Sequence, residues 1–191
     1  MTRPTFDELD APPDPSGSDE MLVFFDTEFS SMLSPQLLSI GLVAESGTEL
    51  YIEVAGAQEL VVSDFVRHEV LPLLGLHTPL VLEYDAIALQ LEAWFDGLRG
   101  GDRRIGIVLV SDCPVDWMLV TELKVLMPGE QSWTRAANIG GRMVQNLMAS
   151  GRQVAQYFEA IEDFHRIHGQ RHHALVDARA VKYAISEMRF E

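Results

Sequence analysis

The chain is predicted to fold as an α/β domain, a mixed sheet of antiparallel and parallel strands with helices packed on its faces. Short apolar runs rich in β-branched residues, at 22–25, 36–43 and 105–110, are too brief for buried helices and read as core strands. Three later stretches, 84–98, 153–168 and 174–188, repeat apolar residues at the helical period. Strands come first, followed by helix, strand, helix and two further helices, an order that suits a sheet covered on its faces. At 191 residues the chain fits one such domain, and 47% hydrophobic with 23% charged residues is ordinary for a globular protein.

Residues 1–20 carry Pro4, Pro12, Pro13 and Pro15 among acids and small residues without apolar periodicity. They are expected to form a disordered leader, with 21–191 as the single folded domain. The first strand, from Met21, runs through Leu22-Val-Phe-Phe25 into Asp26-Thr27-Glu28. A second strand, 36–43, and a third, 49–54, flank the turn residues Glu45-Ser-Gly-Thr48, which makes strands one to three an antiparallel meander. Gly41 inside the second strand marks a bulge or a close backbone approach. A short helix is expected over 63–74, with Ser63 as N-cap and Pro72 limiting it. The helix 84–98 places Ile87, Leu91, Trp94, Phe95 and Leu98 on one face and ends at Gly97, Gly100 and Gly101.

The strand 105–110 is central and also runs into acids, Asp112 and Asp116, with Pro114 where a helix can begin and a helical pattern over 116–126. Residues 128–152 are the least legible, because glycines interrupt scattered apolar residues; a strand or loop near 133–139 and a short helix over 142–149 are expected. The helix 153–168 puts Val154, Tyr157, Phe158, Ile161 and Phe164 on one side and stops at Gly169. The last helix turns Leu175, Ala178, Val181, Ile185 and Met188 towards the core.

Composition narrows the function. A single cysteine, Cys113, rules out an internal disulfide framework and suits a reducing cytoplasm. No stretch resembles a signal peptide or a membrane span. A formal charge of −15 argues against coating long nucleic acid through a basic face, yet it is compatible with short acidic substrates handled through bound metal. In extended backbone residues i and i+2 share a face, so Asp26 and Glu28 point the same way. Neighbouring carboxylates repel, and a divalent cation is the usual remedy. Asp116 beyond the central strand, Asp177 on the last helix and His172 five residues before it are the other residues that stand out.

Together these residues resemble the DEDDh 3′–5′ exonuclease superfamily, which includes proofreading exonucleases, ribonuclease T and oligoribonuclease. Its first motif, Asp-x-Glu at the end of the first strand, is matched by Asp26-Thr27-Glu28. Its second, an Asp opening the helix after a core strand, is matched by Asp116 in Ser-Asp-Cys-Pro-Val-Asp-Trp. Its third, His-x-x-x-x-Asp, is matched by His172 and Asp177. Within the superfamily, a small bacterial and phage group of single-domain exoribonucleases is similar at 26–29 (Asp-Thr-Glu-Phe), 37–41 (Leu-Leu-Ser-Ile-Gly), 66–72 (Val-Arg-His-Glu-Val-Leu-Pro) and 172–179 (His-His-Ala-Leu-Val-Asp-Ala-Arg). The likeness spans roughly 21–188.

The resemblance implies a ribonuclease H-like fold with helices on both faces of the sheet. It also implies a cytoplasmic 3′–5′ exonuclease acting on single-stranded RNA or short oligonucleotides, releasing nucleoside 5′-monophosphates, and often a homodimer. The chemistry agrees. Phosphodiester hydrolysis builds charge on the attacking, phosphoryl and leaving oxygens together, and two divalent ions about 3.5–4 Å apart can clamp both sides. Mg²⁺ or Mn²⁺ prefers the oxygen ligands that Asp26, Glu28, Asp116 and Asp177 would supply. A histidine with a pKa near ~6.5 suits a general base, which assigns that role to His172.

Asp112 competes with Asp116, which is preferred because one helical turn past the strand returns it over the strand ends. His173 competes with His172, which has the five-residue offset. Thr27, Phe29, Trp117 and His173 flank the acids as candidate substrate contacts, Phe29 and Trp117 because aromatics can stack on bases, although core packing is the safer reading of those two. His77, His165 and His168 lack acidic company at ligand spacing and are expected at the surface. Cys113 is expected to be inert. Arg103 with Arg104, and Arg166 with Arg171, are candidates for phosphate contacts or for solvated surface. A 3′–5′ DNA exonuclease and a non-catalytic binding module on the same fold are the alternative readings.

Overall fold

The computed structural model describes residues 20–125, 139–144 and 150–188. Six strands form one sheet: β1 (Glu20–Phe29), β2 (Leu37–Ala44), β3 (Glu49–Val54), β4 (Leu80–Leu82), β5 (Gly106–Ser111) and β6 (Ile139–Met143). Their order across the sheet is β4-β3-β2-β1-β5-β6. The meander expected from the sequence is present, with β1 antiparallel to β2 and β2 to β3. The remaining neighbours, β3 with β4, β1 with β5 and β5 with β6, are parallel.

Period-two alternation decides which helix each strand residue meets. Val23 and Phe25 point to one face, where they pack with Ile40, Leu42, Ile52, Ile107 and Leu109. That face is covered by α1 (Tyr84–Leu98), through Ile87, Leu91 and Phe95, and by α2 (Pro114–Val125), through Leu119 and Leu123. Phe24, Val108 and Val110 point to the other face, against Tyr157 of α3 (Gly151–His168) and Val181 and Ile185 of α4 (Ala174–Glu187). Helices therefore lie on both faces, and every core strand is apolar on both sides. Among the described residues no helix is long and apolar enough to cross a membrane.

Gly41 resolves into a close approach rather than a bulge. A Cβ at this position would lie 2.3 Å from the backbone nitrogen of Leu175, so the first turn of α4 rests directly on β2. Gly41 is also the register partner of Asp26. The irregularity sits one strand away, where the β1–β2 register shifts between Glu28 and Phe29.

Other expectations change in detail. The helix expected over 63–74 is a π-helical turn, Val66–Val70, followed by a 3₁₀ turn, Leu71–Leu73. Ser63 does cap it, accepting from the Val66 N–H at 3.3 Å. Pro72 has no N–H to continue an α-helical ladder. The three-residue edge strand β4 has too few residues to show a pattern and was not anticipated. Phe158 is 55% exposed, off the buried stripe of Tyr157 and Phe164, because it falls about 100° around the helix from Tyr157. Arg142 and Met143 belong to strand β6, not to a helix. The rest of the expected helix over 142–149 except Val144, and nearly all of the strand or loop over 133–139, lie outside the described residues. So does the leader, apart from Glu20, which begins β1.

Candidate active site

Strands β1 and β5 run parallel, and both end at the same side of the sheet in acids, Asp26 and Glu28 on one, Asp112 just past Ser111 on the other. In open α/β sheets the crevice beyond the carboxyl ends of the strands is where ligands bind. Here it is a cleft of about 530 Å³ whose lining includes Asp26, Thr27, Glu28, Asp116, His172 and Asp177.

The four acids arrive on three elements. Asp26 and Glu28 continue the face of Phe24, as the i/i+2 rule requires, and so meet α4. Asp116 is buried in the first turn of α2, on the opposite side of β1. Thr27 points to that side and donates its hydroxyl to Asp116 Oδ1 at 2.6 Å, while Ser111 donates to Oδ2 at 2.5 Å. Asp177 lies in the first turn of α4, which Gly41 allows to settle onto the sheet. The backbone N–H of His172 donates to Asp177 Oδ2 at 2.9 Å. His172 itself has a positive φ of 66°, a conformation uncommon for a residue with a side chain, in the sharp link between α3 and α4. Its half-buried ring stands edge-on to Phe65 at 4.9 Å between centroids.

The functional groups converge as two triads. One ligand atom each from Glu28, His172 and Asp177 lie within 4.8 Å of one another, and so do atoms from Asp26, Asp112 and Asp116. The structure thus brings Asp112 and Asp116 together rather than choosing between them. Asp116 is the buried one, and Asp112 accepts a 2.8 Å hydrogen bond from the Tyr157 hydroxyl.

Crowding so many acids has an electrostatic cost. Burial, and then the carboxylates of Asp116, Asp177, Glu28 and Asp112, push the Asp26 pKa well above the usual range. Burial and the charges of Asp177 and Asp116 do the same to Glu28. Burial carries both Asp116 and Asp177 up to about 7, against the hydrogen bonds that favour their ionised forms. Burial, then the Arg171 guanidinium, lowers the pKa of His172.

Several candidates land elsewhere. Trp117 is buried, edge-on to Phe25 with its ring over Gly141, where a Cβ would lie 1.9 Å from it; it is a core residue and does not line the cleft. His173 is also buried, its ring tilted against Tyr51 at 4.5 Å and edge-on to His77 at 4.7 Å, away from the cleft, and burial lowers its pKa to about 4. Phe29 does line the cleft while it also packs against the core on the face of Val23 and Phe25, as alternation along the strand requires. Cys113 lines it too, with its pKa raised by burial and the Asp116 charge. Arg103, Arg104, Arg166 and Arg171 each pair with an acid of the chain itself.

His165 corrects the expectation of a surface residue. Its side chain is 8% exposed and its Nε2 lies 3.2 Å from Asp177 Oδ1. The signal was present, since His165 follows Ile161 by four residues and Tyr157 by eight, on the buried stripe of α3. His77 and His168 are exposed as expected.

The donor set fits hard divalent cations. It is all carboxylate apart from His172, and buried Asp177 Oδ1 accepts no hydrogen bond, because the nearby His165 is not aligned to donate.

No family model and no curated protein matches the sequence. Solved structures do. Exonuclease I aligns over 86% of this chain and 39% of its own, with a TM-score of 0.57 and 10% identity. Its apo form aligns over 87% and 41%, with a TM-score of 0.56 and 9% identity. A zinc-bound complex of E. coli exonuclease I with single-stranded DNA aligns over 89% and 40%, at 0.55 and 10%. The chain therefore spans about two fifths of the length of these proteins. The fold they share is ribonuclease H-like, as the motifs implied.

Proposed function

We propose that this protein is a divalent-cation-dependent 3′–5′ exonuclease of single strands, releasing nucleoside 5′-monophosphates. One observation carries the reading: Asp26, Glu28, Asp116 and Asp177, from three separate elements, meet in one cleft with His172, on an exonuclease fold. Asp26, Glu28, Asp116 and Asp177 would hold the cations, with Asp112 adjoining. Bound there, two Mg²⁺ or Mn²⁺ ions would activate water and stabilise the leaving oxygen.

The chain's own residues supply the rest. His172 accepts the proton of the attacking water, and its lowered pKa keeps it unprotonated at neutral pH. Thr27 and Ser111 fix the Asp116 carboxylate from both oxygens, and Tyr157 fixes Asp112. The His172 N–H fixes Asp177, so the base and this ligand share one backbone link.

Single-stranded RNA or short oligonucleotides are the substrates we assign, on the motif likeness to exoribonucleases. A DNA exonuclease is the second reading, favoured by the solved relative bound to single-stranded DNA. Digestion of 3′- and 5′-labelled single-stranded RNA, DNA and duplexes with Mg²⁺ or Mn²⁺ tests both. Metal-dependent shortening from the 3′ end, faster on RNA and abolished in Asp26→Asn, is expected. Activity in chelator, or undiminished in Asp26→Asn, would overturn the enzyme assignment, and a preference for DNA would overturn the substrate.

A further inference from the structure

The link between α3 and α4 borders two cavities. His172 lines the cleft, while Gln170 lines a second cavity of about 500 Å³ that shares no lining residue with it. Val43, Phe164 and Val176 give the second cavity apolar walls. Arg179 and Lys182 meet a single carboxylate there, Glu49, and His77, His168 and Gln170 are the other polar side chains. On a chain of charge −15, two cations against one acid make this a place for an anion. Glu49 accepts from Arg179 Nε at 2.7 Å and from Nη2 at 2.6 Å. The carbonyls of Ala44 and Glu45 accept from Lys182 Nζ at 2.9 and 3.0 Å. Among the described residues, Arg179 Nη1 and the third hydrogen of the Lys182 ammonium have no other partner. The His168 ring lies tilted against Phe164 at 4.5 Å between centroids, so two flat rings stand beside these donors.

We infer that this cavity is a second nucleotide site, taking a nucleoside monophosphate with its phosphate on Arg179 and Lys182 and its base against Phe164 and His168. The choice of a nucleotide among phosphate esters rests on the exonuclease reading, in which nucleoside 5′-monophosphates are the product. A phosphate monoester presents three acceptor oxygens, which suit the planar donors of a guanidinium together with the point charge of an ammonium. The cavity volume of about 500 Å³ falls within the small-ligand range of about 300–1,000 Å³, and apolar walls with a few convergent polar groups are the usual lining of such sites. Glu49 shares the guanidinium with any anion that enters, which limits the affinity to a Kd of about 1 mM. Without a divalent cation, the clustered carboxylates of the cleft repel phosphate, so binding by the metal-free protein reports the second cavity alone.

NMR titration of the full chain in chelator, with adenosine 5′-monophosphate, inorganic phosphate and adenosine as separate probes, reads this directly. The monophosphate is expected to saturate with a Kd of about 1 mM and to shift the amides of Gln170, Arg179 and Lys182. Inorganic phosphate should bind about tenfold more weakly, and adenosine weaker still. No saturation by the monophosphate up to about 10 mM, or shifts confined to the cleft, would overturn the inference. Adenosine binding as tightly as the monophosphate would overturn it too, since the cations would then hold nothing. Arg179→Gln is expected to weaken binding about tenfold. Glu49→Gln should tighten it about threefold by freeing the guanidinium, a gain that a folding defect cannot imitate. His168→Ala should weaken the monophosphate and leave inorganic phosphate unchanged. Unaltered affinity in both Arg179→Gln and Glu49→Gln, or equal losses for the two probes in His168→Ala, would contradict the assignment. Strand hydrolysis with no metal-free nucleotide binding would keep the exonuclease and remove this site; nucleotide binding without hydrolysis would do the reverse.

Discussion

In the proposed reaction His172 has to be unprotonated when water attacks, and burial with a neighbouring cation favours that form. Burial and Arg171 both draw its pKa below the ordinary value of 6.5, so the proton is lost at lower pH than from a free imidazole. The account expects kcat/KM to hold level at neutral pH and to fall on the acid side with a midpoint below about 6.5. His172→Ala is expected to lower kcat by about 10²–10⁴ with Tm little changed. His173→Ala should do the opposite, because that ring is buried against Tyr51 and His77. Loss of kcat at constant Tm in His173→Ala alone would show that the base was misassigned. Asp26 and Glu28 were legible because strand alternation fixes their shared face, and His172 and Asp177 because five residues separate them on one short link. His165 and Tyr157 were not legible as partners of Asp177 and Asp112, since those contacts join different elements. Trp117 is core, the safer of its two readings, but the residue it covers, Gly141, was not legible as its partner because it lies in the one region without a readable pattern.

At the scale of elements, the seating of α4 on β2 decides where Asp177 and His172 stand. The seat is Gly41, whose missing Cβ leaves room for the backbone of Ala174 and Leu175. Gly41→Ala forces backbone against side chain, with no flexible group to give way. It is expected to cost about 3 kcal/mol of stability and to reduce activity more than that loss of folded protein accounts for, as α4 shifts. Urea unfolding beside kcat at a temperature where the variant is folded would check this; normal kcat in the folded variant would show that α4 does not set the site. Long periodic elements were read well: the helix Tyr84–Leu98 has the bounds its apolar spacing gives, and β3, Glu49–Val54, likewise. The π-turn at Val66–Val70 was read as an ordinary helix because its apolar spacing does not reveal which hydrogen-bond ladder forms. Strand β4 escaped because it is held by pairing with β3, which a three-residue pattern cannot announce.

For the molecule as a whole, the sheet brings acids together at a cost to folding, and that cost depends on pH. Asp116 and Asp177 have folded pKa values raised from 3.8 to about 7. A carboxylate raised in the folded state favours folding fully below its unfolded pKa, and that contribution is lost as pH rises through the folded value. The metal-free protein is therefore expected to lose stability between about pH 4 and pH 8, most steeply at about pH 5–6, midway between the unfolded and folded values. Mg²⁺ should restore it at pH 8 and do little at pH 5, where protons compete for the ligands. Asp26→Asn should raise the metal-free Tm at pH 8 by about 3 °C and abolish the Mg²⁺ response. Thermal melts across pH with and without Mg²⁺ measure all of this; a metal-free Tm that rises with pH would contradict it. The mixed sheet and its two helical layers were legible from the order of periodic segments. The sheet order past β5 was not, because β6 rests in the glycine-interrupted stretch.

The most direct measurement is hydrolysis in ¹⁸O-labelled water, with mass analysis of the released nucleotide. The account predicts nucleoside 5′-monophosphates from the 3′ end, with one ¹⁸O in each phosphate, formed with Mg²⁺ or Mn²⁺ and lost in Asp177→Asn. Release of 3′-phosphates, or of unlabelled product, would contradict it.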